Sequence, residues 1–171
     1  AVVSLGLGTG ALALLGEHEK AQSWVERCLA KMKKSFDMQG SDGGPLEGPM
    51  YGTYFADSYA QLLWGLHTVG IATDLWDHVF LKTMPRYCIG LMAPVVHQQP
   101  TFGDGGPTQA FRLSMTLLAL RGDTDAAWYL QQIGALRPSG LETLLLLAPG
   151  KIRPELPAWN PSVAFLDIGY A

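Results

Sequence analysis

Two tyrosines and a glutamate stand where a glycine-rich loop is predicted to run into a helix, in SDGGPLEGPMYGTYFADSYAQLLWGL at residues 41–66. Tyr51 and Tyr54 are three positions apart, so a helix would place both phenols on one face. A phenol has an ordinary pKa of about 10, which makes it a poor base but a reasonable acid at neutral pH. Flexible glycines in the loop could bring Glu47 to a ligand. The competing interpretation is structural, with both tyrosines packed as amphipathic core residues.

A second glycine-rich loop, HQQPTFGDGGP at residues 97–107, offers His97 and Asp104 as further candidate ligand contacts. Asp104 also has a structural explanation, as a turn or capping acid ahead of a helix. That helix is predicted to begin near Pro107, because proline has a fixed φ and its missing N–H costs nothing in a first turn.

Motifs for metals and cofactors are not found in the sequence. The four histidines, His18, His67, His78 and His97, lack the i, i+4 spacing of a helical metal pair, and no CxxC or HExxH is present. GLGTG at residues 6–10 lacks the preceding strand and the spacing of a dinucleotide fingerprint, so its glycines are interpreted as packing residues. We therefore predict no metal and no cofactor.

Composition excludes several partner classes. A chain of 171 residues with a net charge of -3 has no basic field for nucleic acid, and the cluster Lys31, Lys33 and Lys34 is interpreted as a solvated helix face. The apolar start, residues 1–16, is too short and too rich in glycine to span a bilayer, which predicts a buried helix and no membrane partner. Cys28 and Cys88 lie among apolar residues and are predicted to be buried free thiols.

Hydrophobic periodicity predicts an all-α domain over residues 1–148. The expected helices cover 1–15, 18–37, 50–69, 74–92, 107–120, a segment within 121–136 capped by Asp or Thr, and 140–148. In the third, Phe55, Tyr59, Leu62, Leu63 and Leu66 form the expected buried stripe, and Gly70 ends the helix. Pro85 predicts a kink or break within 74–92.

The composition of the sequence changes at Pro149. Four prolines over residues 149–161 predict an extended linker, and the alternation in SVAFLDIGYA, residues 162–171, predicts a strand. A lone strand is not stable, so we expect it to begin a truncated β domain. The chain is therefore interpreted as a fragment of a longer protein.

The ordered combination of these segments resembles the heparinase II/III-like family of polysaccharide lyases. DGGPLEGPMYGTY followed by an apolar helix is similar to the family's DGG…EGxxYxxY segment, TFGDGG to its FGD loop, and FLDIGYA to the entry of its β-sandwich. The resemblance covers nearly the whole chain. It implies an incomplete (α/α) toroid of antiparallel helical hairpins followed by antiparallel β-sandwich material.

The activity that the resemblance implies is β-elimination on uronic-acid-containing polysaccharides. Tyr51 matches the family's catalytic tyrosine and would protonate the leaving oxygen, whereas Tyr54 would line the groove. Glu47 would orient the loop or bind sugar, and His97 and Asp104 complete the predicted substrate-binding set. An acidic polysaccharide and a β-sandwich domain of the same parent chain are then the expected partners.

The resemblance also places two groups outside residues 1–171. The family's charge-neutralising residue belongs before the small-residue helix, and a catalytic histidine belongs to the β-sandwich, so we expect these 171 residues by themselves to be inactive. The expected location of the parent is periplasmic or secreted. The alternatives are a carbohydrate-binding domain of the same fold without catalysis, and an unrelated helical-hairpin interaction domain.

Overall fold

A computed structural model describes residues 2–92, 111–136, 152–159 and 166–167, and within these ranges the fold is all-α. The elements are α1 (Val2–Ala13), α2 (Ala21–Asp37), α3 (Gly48–Thr68), a 3-10 turn (Asp74–Asp77), α4 (Val79–Gly90), α5 (Arg112–Leu120) and α6 (Thr124–Gln132). α1 packs against α2 and α3, α5 packs against α3 and α6, and α4 packs against α6.

Helices α2 and α3 confirm the amphipathic patterns read from the sequence. Trp24, Cys28 and Met32 recur at every fourth position of the sequence, the spacing of one face of an amphipathic helix. Cys28 and Met32 are buried in α2, whereas Trp24 is only partly buried. In α3 the expected stripe is buried apart from Phe55, which is partly exposed. Gly70 ends this helix with φ +77°, a left-handed conformation that glycine adopts without strain.

Helix α1 forms as predicted, but only one side of it is buried. Ser4, Gly8 and Ala11 lie against the rest of the fold, whereas Val3 is 83% exposed. Gly8 allows α1 to lie close to α3, because a Cβ there would stand 2.6 Å from a methyl of Leu62. The helix predicted to be buried is therefore buried on one side only, within the part of the chain that the structure describes.

The predicted helix over 74–92 is divided at His78 rather than at Pro85. His78 takes an extended conformation between the 3-10 turn and α4, and its Nδ1 accepts a hydrogen bond from the Phe80 N–H at 3.2 Å. With Nδ1 accepting, a neutral ring carries its proton on Nε2, which lies 3.0 Å from Asp37 Oδ1. Pro85 lies inside α4, and the helix continues through it.

Helix α5 begins at Arg112, later than the predicted start near Pro107. Phe111 precedes it with φ +60°, a left-handed conformation that cannot belong to the helix and is strained for an aromatic residue. Pro107 itself lies outside the described residues. α6 begins as predicted, because the Asp123 side chain accepts from the Ala126 N–H at 2.8 Å.

The core is aromatic at its centre. The Phe36 ring lies 5.4 Å from Tyr59 and 5.6 Å from Phe80, which joins α2, α3 and α4. Cys28 and Cys88 are buried and are not joined by a disulfide, as predicted. The lysine cluster on α2 is exposed, also as predicted, and Lys33 pairs with Asp37 at 3.2 Å.

The end of the chain is described only in part. Residues 152–159 have no regular helix or strand, and the linker over 149–161 stays a prediction. Of the predicted strand only Leu166 and Asp167 are described, and these two residues form a turn. The predicted helix over 140–148 lies outside the described residues. Among the helices that are described, none is both long and apolar enough to span a membrane.

Candidate functional site

Helix α3 begins directly after the first glycine-rich loop. Gly48 takes φ +76°, which turns the chain into the helix, and Pro49 occupies the first turn, where its missing N–H costs nothing. Glu47 is the N-cap residue by position, but its carboxylate does not cap the helix. Its side chain is exposed beside the first turn.

Tyr51 and Tyr54 lie next to each other on the outer face of α3. Their ring centroids are 6.5 Å apart with the planes inclined by 41°, and the two side chains are 49% and 57% exposed. The predicted common face is therefore present. The competing interpretation as core residues does not fit side chains of this exposure, and the rings are open to a ligand.

The opposite face of the first turns of α3 packs against the first glycine-rich loop. Gly52 is buried, and a Cβ added there would stand 2.2 Å from Cγ of Pro45 and 3.3 Å from the Phe111 ring. Glycine is thus required for the loop to pack on the helix at this depth. The contact fixes one side of the turns whose other side carries the two tyrosines.

Hydrogen bonds inside the loop come from residues that sequence reasoning did not select. Gln39 Oε1 accepts from the Leu46 N–H at 3.0 Å, and Asp42 Oδ1 accepts from the Gly44 N–H at 3.1 Å. Gln39 and Asp42 thus supply the organising side-chain bonds, whereas Glu47 does not cap the helix it begins. The predicted role of Glu47 in orienting the loop stays a prediction, as does its role as a sugar contact.

The loop is also fixed to α4. The Thr83 hydroxyl lies 2.9 Å from the Ser41 carbonyl and 2.8 Å from the Val79 carbonyl of its own helix, so its one proton is shared between these two acceptors. Gly43, with φ +89°, lies so close to α4 that a Cβ would stand 2.4 Å from the Met84 nitrogen. An aspartate two residues before a glycine is a turn signal that could have revealed Asp42. No local signal could have identified Thr83, which acts across the fold.

The start of α5 lies against the same helix. Asp57 Oδ1, on α3, accepts from the Ser114 N–H at 2.9 Å and from the Ser114 hydroxyl at 2.7 Å, so α3 caps the N-terminus of α5. Together with the contact between Phe111 and Gly52, this fixes the start of α5 against α3. His97 and Asp104 lie outside the described residues.

No group of three or more His, Cys, Asp or Glu side chains that could hold a metal occurs in the described part of the chain. A cavity of about 360 Å³ lies elsewhere, between α2 and the 3-10 turn, and Leu29, Lys33, Thr73 and Asp74 are among its lining residues. It contains none of the predicted site residues.

The arrangement of the site is that of a rigid platform for two exposed phenols. Each ring can stack on a ligand, and each hydroxyl can donate or accept a hydrogen bond. Comparison of the chain with protein-family models, with curated proteins and with solved structures finds no match. The resemblance to polysaccharide lyases therefore stays a prediction that rests on the sequence segments.

Proposed function

We propose that these residues form the helical part of a polysaccharide lyase that cleaves uronic-acid-containing polysaccharides by β-elimination. The observation that carries the proposal is the exposed pair Tyr51 and Tyr54, with ring centroids 6.5 Å apart on the first turns of α3. Tyr51 is the proposed proton donor, and Tyr54 forms the adjoining wall of the sugar site. Glu47, exposed one turn before Tyr51, is the proposed sugar contact nearest to the pair.

The fixed position of the first turns of α3 supports the role of Tyr51 as proton donor. The packing of Pro45 on Gly52 and the attachment of the loop to α4 through Thr83 hold the first turns of α3 in one position. An acid that must deliver its proton to one oxygen atom gains from such fixed placement, because a misplacement of about 1 Å can cost about 100-fold in rate. The tyrosines lie on a rigid helix rather than on the loop itself.

The order of helix contacts supports a toroid of helical hairpins. Among the odd-numbered helices, α3 contacts α1 and α5, and among the even-numbered helices α4 contacts α6. α1 also packs on α2, and α5 packs on α6. When helical hairpins stack side by side, their first helices form one row and their second helices form another. We propose that the described helices are a segment of such a toroid, with the β-sandwich of the resembled family following the linker.

The proposed reaction requires more than Tyr51. A general base other than Tyr51 takes the C5 proton, and the electron pair left behind forms the C4–C5 double bond. The C4–O4 bond breaks, and the departing oxygen takes the Tyr51 proton. Neutralisation of the uronate carboxylate must supply much of the stabilisation, because a proton next to a carboxylate is barely acidic. The resemblance assigns that neutralising group, and a catalytic histidine, to positions outside residues 1–171. We therefore expect binding without turnover from these residues by themselves.

The second candidate function is sugar binding without catalysis. It is favoured by the two half-exposed, mutually inclined rings, which suit stacking against a sugar whether or not a proton is transferred. In both cases the expected partner is an acidic polysaccharide. The net charge of -3 provides no general attraction for a polyanion, so recognition depends on groups at the site.

Binding to the 171-residue chain tests what both candidates share. Heparan-type, alginate-type and polygalacturonate oligosaccharides, with a neutral glucan as ligand control, are titrated while the amide and tyrosine resonances are followed by NMR. Tyr54→Ala should weaken binding roughly fivefold through the loss of one stacking ring. The matched control is His67→Ala, which removes an exposed ring at the far end of α3 and should leave affinity unchanged. Equal affinity in both variants, or no binding of any uronide, refutes the proposed site.

A further inference from the structure

The segment after Pro149 returns to the helical domain at two described points. The first is Trp159, whose Nε1–H donates to Asp125 Oδ2 at 2.7 Å at the start of α6. The Arg86 guanidinium, on α4, lies 5.8 Å from the Trp159 ring centroid, and its Nε is 3.9 Å from the same carboxylate oxygen. The linker is thus attached where α4 and α6 pack together.

The second point is Asp167, which is bonded to the first glycine-rich loop in both directions. Asp167 Oδ2 accepts from the Ser41 N–H at 2.8 Å and from the Ser41 hydroxyl at 2.5 Å. In return, the Asp167 N–H donates to Asp42 Oδ2 at 3.0 Å. The other oxygen of Asp42 holds the turn at Gly44, so the same aspartate serves the loop and the returning segment.

Both points lie along one side of α4. Thr83, which binds the Ser41 carbonyl, and Arg86, which contacts Trp159, are three residues apart and therefore on one helix face. The two attachments thus follow the same helix from its contact with α6 to its contact with the loop.

We propose that Asp167 is a positioning residue for the site, because it fixes the 41–44 turn that continues through Pro45 into the start of α3. Loss of this contact loosens the loop and changes the position of Tyr51, and thereby ligand affinity at the tyrosine pair. The proposal rests on the proposed function for the identity of the ligand, but its structural part does not require a ligand.

The chemistry of the contact explains why an aspartate suits this position. One carboxylate oxygen receives two donors from a single residue, and hydrogen bonds to an ionised acceptor are stronger than those to a neutral one. Asparagine would offer only a neutral amide oxygen to the same donors. Alanine at Ser41 would remove the hydroxyl donor, whereas threonine would keep it.

The experiment compares the full chain with Asp167→Asn, Ser41→Ala and Ser41→Thr. Amide hydrogen exchange at Ser41 and Gly44 and the ring resonances of Tyr51 are measured without ligand, and uronide affinity is measured afterwards. Asp77→Asn is the matched control, because this exposed aspartate pairs with Lys82 at 2.9 Å and does not touch the loop.

We expect Asp167→Asn and Ser41→Ala to speed amide exchange at position 41 or 44 several-fold and to shift the Tyr51 resonances. Ser41→Thr keeps the hydroxyl and should match the unmodified chain in both measurements. The control should change neither. The proposal is overturned if Asp167→Asn shows the same amide exchange and the same Tyr51 resonances as the control. It is also overturned if Asp167→Asn changes the exchange and the resonances but leaves uronide affinity unchanged. Absence of uronide binding to the unmodified chain refutes the proposed function instead, and the exchange and Tyr51 resonances then decide the positioning role.

Discussion

The Pro45 ring lies directly on the backbone of Gly52, where a Cβ would stand only 2.2 Å from Pro45 Cγ. This contact joins the glycine-rich loop to the inner side of the first turns of α3. It leaves Tyr51 and Tyr54 on the outer side, half exposed and adjacent. The geometry of the candidate site therefore depends on a residue that has no side chain.

Gly52→Ala should destabilise the fold by about 1–2 kcal/mol, because the strain of overpacking exceeds the gain in helix propensity. Urea unfolding measures the difference. Gly6→Ala is the matched control, since no described atom lies within 4 Å of its added Cβ, and it should be neutral or raise stability by up to about 1 kcal/mol. A Gly52→Ala variant as stable as the control would show that the loop does not need this contact.

Asp57→Ala should cost about 1–2 kcal/mol of unfolding free energy, because it removes the cap of α5 and leaves the Ser114 N–H without its acceptor. Thermal or urea unfolding reports the loss. Asp77→Ala removes an exposed acid that pairs with Lys82 and should have a clearly smaller effect on stability. Equal effects of the two substitutions would contradict the capping role.

Local signals were sufficient for several elements of this fold. The four-residue spacing in α2 and the cap at Asp123 act within one or two turns, and the structure confirms both. The common face of the two tyrosines followed from their spacing in the same way. These features depend on neighbours along the chain, which the sequence shows directly.

Tertiary contacts decided what the sequence could not predict. His78, where the predicted helix is divided, contacts Asp37 from another helix, and the start of α5 follows Phe111, which is buried near Gly52. The hydrogen bond between Asp167 and Ser41 joins positions 126 residues apart. No periodicity or turn signal carries such information.

The two thiols should resist alkylation in the native state. Burial raises the pKa of Cys28 and raises that of Cys88 further, with the nearby charge of Asp57 adding to the effect at Cys88. Since the thiolate is the reactive form, we expect slow modification at pH 8, slowest at Cys88, and rapid modification of both in urea. Peptide mapping after timed alkylation resolves the two sites. Native Cys88 reacting as fast as in urea would contradict its burial.

Stability should fall in acid partly through Asp37. Hydrogen bonds from His78 and from Lys33 hold the pKa of the Asp37 carboxyl below its ordinary value. The stabilisation is therefore complete above the unfolded pKa of about 3.9 and is lost as the pH falls through the lower folded pKa. Urea midpoints of the unmodified chain and Asp37→Asn should differ at pH 5 and converge towards pH 3. A difference that stays constant over this range would exclude the linkage.

Catalysis by Tyr51 is tested most directly by turnover in the full-length gene product, measured as the ultraviolet absorbance of the unsaturated uronide over a panel of uronic-acid polysaccharides. Tyr51→Phe removes the proposed proton donor and keeps the ring, so we predict a loss of about 100-fold or more in kcat with nearly unchanged substrate affinity. Tyr54→Phe is the matched control on the same face and should retain most of kcat. A Tyr51→Phe enzyme as active as this control would contradict the account, as would a gene product that cleaves no uronide in the panel.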